Sequence, residues 1–169
     1  YRPAALARVR AGLDGTGRIV AWRHRVVGPS INAAESPATW QHGVDSFAVE
    51  GAVDLPYPID HLRVDYAQHE FGVPVGVMRG VGYVVNVFAT ESLIDEVALA
   101  VGVDPYRLRR DLLAPHPRLV RVLDEAARMS GWDAPLEPGR GRGIALTECY
   151  GAVMVAVIEV TMQPRGRLS

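Results

Sequence analysis

The stretch at residues 73–101, VPVGVMRGVGYVVNVFATESLIDEVALAV, joins a glycine-rich loop to the longest periodic segment of the chain. In the loop, Gly76, Gly80 and Gly82 alternate with apolar residues, and Arg79 carries the only charge. Because glycine has no Cβ, the main-chain amides of such a loop can approach a ligand closely. A single arginine beside accessible amides favours the binding of an anionic ligand. The stretch therefore predicts a loop that presents its backbone and leads into a buried helix.

The segment after the loop has the spacing of a helix over residues 83–101. Apolar residues recur at intervals of three, four and six, which places them on one face of a helix with about 3.6 residues per turn. These residues are Val84, Val87, Phe88, Ile94, Ala98 and Val101. Glu91 falls on the same face, and since a buried carboxylate needs donors, we expect it to anchor loop amides rather than to act in catalysis. Gly102 predicts the end of the helix.

The rest of the pattern predicts an α+β fold with antiparallel strands at both ends and about three helices between them. Asp104 before Pro105 is a helix start signal, and Gly131 is an end signal. On the return strand of the first hairpin, the arginines and His24 are interpreted as the wet face and Trp22 and Val26 as the packed face. The predicted elements are a hairpin at 5–27, an irregular connection at 28–45, strands at 47–53 and 61–67, helices at 83–101, 105–113 and 117–130, a bend at 136–142, and a strand run at 144–162 broken at Gly151.

Length and composition limit the classes of protein that fit. The chain has 169 residues, 49% of them hydrophobic, which is enough for the core of a single domain over residues 1–169. A net charge of −1 gives no electrostatic case for nucleic acid. No apolar run reaches the length of a membrane helix, and the lone Cys149 forms no internal disulfide. The start without Met and the end after an apolar run predict a fragment of a longer protein. A signal that decides between a cytoplasmic and a periplasmic location would then lie outside the fragment, so both locations stay open.

Several segments in a fixed order resemble the molybdopterin-binding large subunit of molybdenum hydroxylases, the xanthine dehydrogenase and aldehyde oxidase family. The segments are YRPAALARVRAGLDGTGRIVAWRHRVVG, VEGAVDLPYPIDHLRVDY, RGVG with ESLIDEVALAVGVDPYRLRRDLL, HPRLVRVLDEAARMSGW and GRGRGIAL. The branch they resemble is the isoquinoline 1-oxidoreductase beta subunit. The resemblance implies a central fragment of that subunit and a molybdenum–pterin cofactor in the full-length enzyme. It also implies a small iron–sulfur subunit or domain as partner, and an aldehyde or heterocycle as substrate.

The resemblance assigns roles to two short segments. Arg79, Gly80 and Gly82 would hold the cofactor, although from the residues alone Arg79 equally suits a turn or open solvent. Met78, Val81, Tyr150 and Met154 would line the substrate pocket. Val81 stands where many family members carry an aromatic residue, and a valine cannot stack on a purine-like ring. A flexible thioether at Met154 favours a broad pocket, whereas the alternative for residues 150–154 is an ordinary core strand.

No catalytic residue or metal ligand is predicted within the chain. Glu50 and Glu148 are the carboxylates nearest to the two site segments, but glutamates that flank strands are usually solvated or paired. The family's catalytic glutamate lies in a later glycine-rich motif that has no counterpart here. The five histidines, His24, His42, His61, His69 and His116, lack metal-ligand spacing and are interpreted as structural or exposed. GRGRG at 139–143 lacks the ending of a phosphate-binding loop and is interpreted as a flexible entry to the next strand.

Two functional hypotheses follow. The first is a segment of a molybdenum hydroxylase that contributes a cofactor-cradling loop and a pocket wall, with water as the source of oxygen. The second is a non-catalytic structural or assembly domain. In either case we expect the isolated chain to be inactive and to bind no molybdenum or pterin tightly. We also expect it to self-associate through apolar surface such as the outer face of AVMVAVIEV.

Overall fold

The computed structural model describes residues 1–38, 40, 43–163 and 167–168, so His42 lies outside the described residues. The chain divides into two compact units, Tyr1–Val97 and Ala98–Ser169. The expectation of one domain over residues 1–169 stays a prediction. In the part of the chain that the structure describes, no helix is long and apolar enough to cross a membrane. The mixture of helices with two sheets rich in antiparallel pairs confirms the α+β class.

A three-stranded sheet forms one layer of the first unit. Its strands are β1 (Leu6–Leu13), β2 (Ile19–Gly28) and β3 (His61–Gln68), in the order β1-β2-β3. β1 and β2 form the predicted hairpin, and Asp14 holds its turn by accepting bonds from the amides of Thr16 at 2.9 Å and Arg18 at 3.1 Å. β3 pairs with β2 in parallel rather than antiparallel fashion. This pairing is possible because a long crossover, residues 29–60, separates the two strands.

The packed face of β2 includes a residue that the sequence analysis placed on the wet face. Trp22, His24 and Val26 are all buried, whereas Arg23 and Arg25 point to solvent. Successive side chains of a strand point to opposite faces, so residues 22, 24 and 26 must share one face. The interpretation that placed His24 on the wet face with the arginines was therefore wrong.

Two short helices, α1 (Ile31–Glu35) and α2 (Ser46–Val49), lie in the crossover. α2 occupies the first three residues of the segment predicted as a strand at 47–53, and turns and a bend occupy the rest, so that prediction was wrong. Buried Asp45 caps α2 by accepting from the Ala48 amide at 3.1 Å. It also accepts from the Ser30 hydroxyl at 2.7 Å, which links the two helices. A four-residue helix with a run of apolar residues has too little sequence to show a helical period.

The long helix α3 (Tyr83–Val101) has the predicted bounds. It ends at Gly102, whose φ is 68°, and the Val103 amide donates to the Ala98 carbonyl at 2.9 Å. The predicted face was correct for Ile94 and Ala98 but wrong for the first turns, where Val84 is 45% exposed and Phe88 is 75% exposed. The residues buried there are polar: Asn86, Thr90 and Glu91.

The second unit contains two helices and a second sheet. Asp104 caps α4 (Pro105–Leu112), and Gly131 ends α5 (Pro117–Ser130) in a left-handed conformation, as predicted. The sheet order is β4-β5-β6, and all pairs are antiparallel. Its strands are β4 (Arg140–Cys149), β5 (Ala152–Gln163) and β6 (Arg167–Leu168). β4 begins within the segment predicted as a bend, so the interpretation of GRGRG as a flexible entry was wrong.

Candidate functional site

The glycine loop at residues 76–82 is held in place by the first residues of the chain and by α1. The Gly76 amide donates to the Tyr1 carbonyl at 3.1 Å, and the Arg2 guanidinium donates to the Arg79 carbonyl at 2.9 Å. The Val77 amide donates to the Glu35 carboxylate at 2.9 Å. These contacts bind the loop through backbone atoms, so its path depends little on its own side chains.

The middle of the loop is a tight turn with positive φ at two consecutive residues. The Val81 amide donates to the Met78 carbonyl at 2.8 Å, while φ is 82° at Gly80 and 39° at Val81. Positive φ is strained for a β-branched residue. A Cβ on Gly80 would lie 2.9 Å from a methyl group of Val84, so the turn also lacks space for a side chain there. A strained valine next to a required glycine indicates a backbone path that the surrounding contacts impose.

Gly82 brings the loop into direct contact with α2. A Cβ on Gly82 would lie 2.2 Å from the Phe47 carbonyl oxygen and 3.2 Å from the Glu50 amide nitrogen. These are backbone atoms, which cannot move aside as a side chain can. The close approach fixes the loop against the end of α2 and starts α3 at the next residue. Sequence analysis assigned Gly82 to the cofactor, but its observed contact is this packing within the first unit.

Three consecutive main-chain amides of the glycine loop form no hydrogen bond within the described part of the chain. Among the described residues, no acceptor is found for the amides of Met78, Arg79 and Gly80. The Arg79 side chain is exposed and forms no ion pair within the described ranges. Clustered amides with a neighbouring guanidinium suit a ligand with anionic oxygens. The loop beside Val81 and Gly82 also borders a small cleft lined by Arg2, Val26 and Ile31.

Below the loop, Asn86 connects α3 with the end of α2. Its side-chain amide donates to the Ala48 carbonyl at 2.9 Å and to the Glu50 carbonyl at 2.8 Å. Its own backbone amide donates to the Gly82 carbonyl at 3.1 Å. Asn86 is fully buried, and it therefore holds the same backbone against which Gly82 packs. Sequence analysis missed this residue, although an asparagine inside an apolar helix is an available signal.

A buried histidine adjoins this asparagine. His24 is fully buried, and neither ring nitrogen has a hydrogen-bond partner of good geometry among the described residues. Burial lowers the pKa of His24 from 6.5 to about 4, and the nearby Asn86 side chain opposes part of that shift. The imidazole is therefore neutral at pH 7. The buried Oδ1 of Asn86 and the Thr90 hydroxyl also lack partners in the described part of the chain, so this region is a polar cluster within the core.

Two tyrosine hydroxyl groups donate to carboxylates between α3 and the segment that follows α2. The Tyr83 hydroxyl donates to Asp54, whose other carboxylate oxygen accepts from the Gly51 amide at 2.6 Å. Buried Glu91 accepts from the Tyr57 hydroxyl at 2.8 Å. The prediction that Glu91 needs donors agrees with this contact, but the donor identified is a tyrosine hydroxyl rather than a loop amide. Both contacts tie the segment after α2 to α3.

The predicted pocket residues lie in both units. Met78 is 45% exposed and Val81 is half-buried, both in the glycine loop of the first unit. In the second unit, Tyr150 and Gly151 form a two-residue hairpin turn in which both residues have positive φ. Met154 is 63% exposed on the outer face of β5, so the alternative of a core strand is wrong for this residue. A shared pocket role for these four residues stays a prediction.

The turn at residues 150–151 is tied to α5. Arg118 donates to the Gly151 carbonyl at 2.7 Å and pairs with Glu148 at 3.4 Å. The Glu148 carboxylate is thus engaged in an ion pair, which was one of the expected outcomes. The arginines of GRGRG are also occupied, because Arg140 and Arg142 both pair with Glu159. Within the described residues, no group of three His, Cys, Asp or Glu side chains is arranged to hold a metal ion.

Comparison with known proteins assigns the class to which this fold and loop belong. Residues 1–113 match the family model of the molybdopterin cofactor-binding domain. This match covers the glycine loop, α3 and α4. The chain belongs to this family, in agreement with the resemblance to molybdenum hydroxylase large subunits.

Individual relatives are consistent with that family. The chain is 32% identical over 167 residues to the isoquinoline 1-oxidoreductase subunit beta of Brevundimonas diminuta, which covers 95% of this chain and 21% of the relative. Its fold resembles quinoline 2-oxidoreductase from Pseudomonas putida 86, with a TM-score of 0.65 at 18% identity over 84% of this chain and 21% of that one. It also resembles aldehyde oxidoreductase from Desulfovibrio gigas, with a TM-score of 0.63 at 20% identity over 86% of this chain and 18% of that one. The chain therefore spans about a fifth of the length of these proteins.

Proposed function

We propose that the chain is part of a molybdenum-dependent hydroxylase that oxidises an aldehyde or an N-heterocycle. In such a reaction a substrate C–H becomes C–OH with oxygen from water, and two electrons and two protons leave. The observation that carries the proposal is the run of amides at Met78, Arg79 and Gly80, for which the described residues provide no acceptor, in a chain of the molybdopterin cofactor-binding family. The names of the relatives, which include isoquinoline and aldehyde oxidoreductases, support the substrate class.

The residues of the loop fit an anionic cofactor. The amides of residues 78–80 can donate to oxygen atoms of the cofactor, and the exposed Arg79 guanidinium can add a charge-assisted contact. Gly80 provides the positive φ that the tight turn requires, and the close packing at Gly82 holds the loop against α2. A bound molybdenum–pterin group would supply the redox chemistry, while this chain would bind and orient it.

The pocket wall is the second proposed contribution. Met78 and Val81, and Tyr150 and Met154, each offer apolar surface that remains exposed or half-exposed in their own unit. Valine and methionine give no rigid ring on which a flat substrate would stack, so a broad pocket is expected. The small iron–sulfur partner that would accept the electrons is part of the same proposal.

The test is a pair of loop variants in the full-length subunit. Arg79→Ala removes a contact worth about 1.5–3 kcal/mol but leaves the amides in place, so cofactor retention with reduced turnover is expected. Gly80→Val forces a branched Cβ onto positive φ and into the contact with Val84, so loss of molybdenum is expected. Molybdenum content by elemental analysis and turnover with an aldehyde and an N-heterocycle are the measurements.

A matched glycine provides the control. A Cβ on Gly143 meets nothing within 4 Å, so Gly143→Val should keep both molybdenum and turnover. Full molybdenum and normal activity in Gly80→Val would exclude the loop as a cofactor site. A parent subunit that folds and assembles but holds no molybdenum would instead favour the structural or assembly role.

A further inference from the structure

One face of the first sheet concentrates arginine side chains. Arg8 and Arg10 alternate along β1, Arg23 and Arg25 alternate along β2, and Arg63 lies beside Arg23 on β3. We call these five side chains the arginine face. The strand register places Arg8 opposite Arg25 and Arg10 opposite Arg23, so positive charges stand in direct cross-strand pairs. All five are exposed.

The arrangement costs stability unless carboxylates compensate it, because like charges directly opposite each other destabilise a sheet. Among the described residues, Asp65 is the one carboxylate paired with the arginine face. It lies 2.7 Å from Arg23, 2.8 Å from Arg63 and 3.9 Å from Arg25. Hydrogen bonds from Arg63 and Arg23 lower the pKa of Asp65, so it is ionised at neutral pH. The face therefore already holds one carboxylate between guanidinium groups.

The β1 side of the arginine face has no such carboxylate among the described residues. In the described ranges, no carboxylate lies within ion-pair distance of Arg8 or Arg10. Arg8, Arg10, Arg23 and Arg25 together line an open depression in the surface. The surplus of positive charge is local, because the whole chain has a net charge of −1.

We propose that the arginine face is a docking surface for an acidic segment of another polypeptide, one that carries carboxylates at alternate positions. Guanidinium groups bind carboxylates through charge-assisted hydrogen bonds, as Arg23 and Arg63 do with Asp65. Alternate residues of an extended segment lie about 7 Å apart, which matches the spacing of alternate arginines on a strand. This proposal does not depend on the proposed enzymatic function.

Two physical arguments select this occupant. The backbone of β2 is paired on both sides, so the centre of the face offers side chains rather than the free amides that phosphate sites usually add. Permanent burial of several guanidinium groups inside one subunit would carry a large desolvation cost. A polar, charge-steered contact between separate chains avoids most of that cost.

The first test is calorimetric binding to the full-length subunit of a synthetic peptide with glutamates at alternate positions. A peptide with glutamines in their place and inorganic pyrophosphate serve as comparison probes. Arg8→Gln combined with Arg10→Gln should weaken binding of the glutamate peptide roughly tenfold. Arg121→Gln, on the exposed side of α5, should leave it unchanged. No binding by the parent, an equal loss in Arg121→Gln, or tighter binding of pyrophosphate at the same arginines would overturn the proposal.

The second test identifies the origin of the segment. Arginine-specific labelling with phenylglyoxal and mass spectrometry is applied to the isolated full-length subunit and to the enzyme purified with its natural partners. Arg8 and Arg10 should react in the isolated subunit and be protected in the assembly. Protection already in the isolated subunit would assign the covering segment to the same polypeptide. Reaction in both samples would show that no partner covers the face, and either result overturns the proposal.

Discussion

Among the described glycines, Gly82 has the least space for a side chain, because α3 starts directly against the backbone of α2. We predict that Gly82→Ala lowers the free energy of unfolding by about 3 kcal/mol, since the added methyl group would lie 2.2 Å from the Phe47 carbonyl oxygen. Urea unfolding followed by circular dichroism measures the change. Gly143→Ala, which adds a methyl group in open space, should change the stability little. Equal effects in the two variants would contradict the close packing.

At the same scale, His24 should make stability depend on pH. Its pKa is lowered from 6.5 to about 4 by burial, so between these values the unfolded chain binds more protons than the folded one. The contribution to stability is complete above pH 6.5 and is lost as the pH falls toward 4. A shift of this size corresponds to about 3 kcal/mol.

The measurement compares urea unfolding of the parent and of His24→Leu at several pH values between 7 and 4. Carboxylates titrate in both proteins, so the difference between them isolates the histidine. The parent should lose more stability than the variant as the pH falls. Parallel pH profiles would contradict a buried neutral histidine at this position.

At the scale of the elements, α2 depends on contacts from outside itself. A four-residue helix has no stability of its own, and its last carbonyls are satisfied by the Asn86 side chain. We predict that Asn86→Asp, which keeps the shape but removes both donors, destabilises the first unit by about 2–5 kcal/mol. Hydrogen exchange should accelerate at the amides of residues 46–50. The amides of α5 in the second unit serve as the internal control, and unchanged exchange at 46–50 would exclude the anchoring role.

The bounds of the longer helices could be predicted from the sequence, whereas the packing of some elements could not. The bounds of α3, α4 and α5 follow from local signals, namely Asp104, Pro117 and the glycines at 102 and 131. The buried face of α3 did not follow, because the helix is apolar on nearly all sides and its first turns bury polar residues. The parallel pairing of β3 with β2 depends on a crossover and not on the composition of either strand.

The candidate site was likewise predicted only in part. The glycine loop was identified from residues 76–82, because glycine spacing and a lone arginine are visible in the sequence. The contact of Gly82 with α2 and the links from Asn86 and His24 were missed. Each of these joins residues that are more than 30 positions apart, and the segment that forms α2 was predicted to be a strand. The roles of Met78, Val81, Tyr150 and Met154 toward a substrate remain predictions.

At the scale of the whole molecule, the outer face of β5 presents a continuous apolar surface. Met154, Ile158 and Met162 recur every fourth residue on one face of the strand, and each is more than half exposed. Within the described residues, β6 pairs with β5 only at residues 162 and 163, so most of one edge of β5 is also unpaired. Exposed apolar strands with free edges are prone to associate with other chains.

We therefore predict that the chain of residues 1–169 forms dimers or larger oligomers through β5. Ile158→Lys places a charge at the centre of the apolar face, since this side chain is 64% exposed, and it should shift the population toward monomer. Met129→Lys is the matched control, because this methionine is 75% exposed on α5 of the same unit and lies outside the apolar face of β5. Multi-angle light scattering over a range of concentrations measures the mass of all three proteins. A parent that remains monomeric at every concentration, or a control that dissociates as fully as Ile158→Lys, would refute association through this strand.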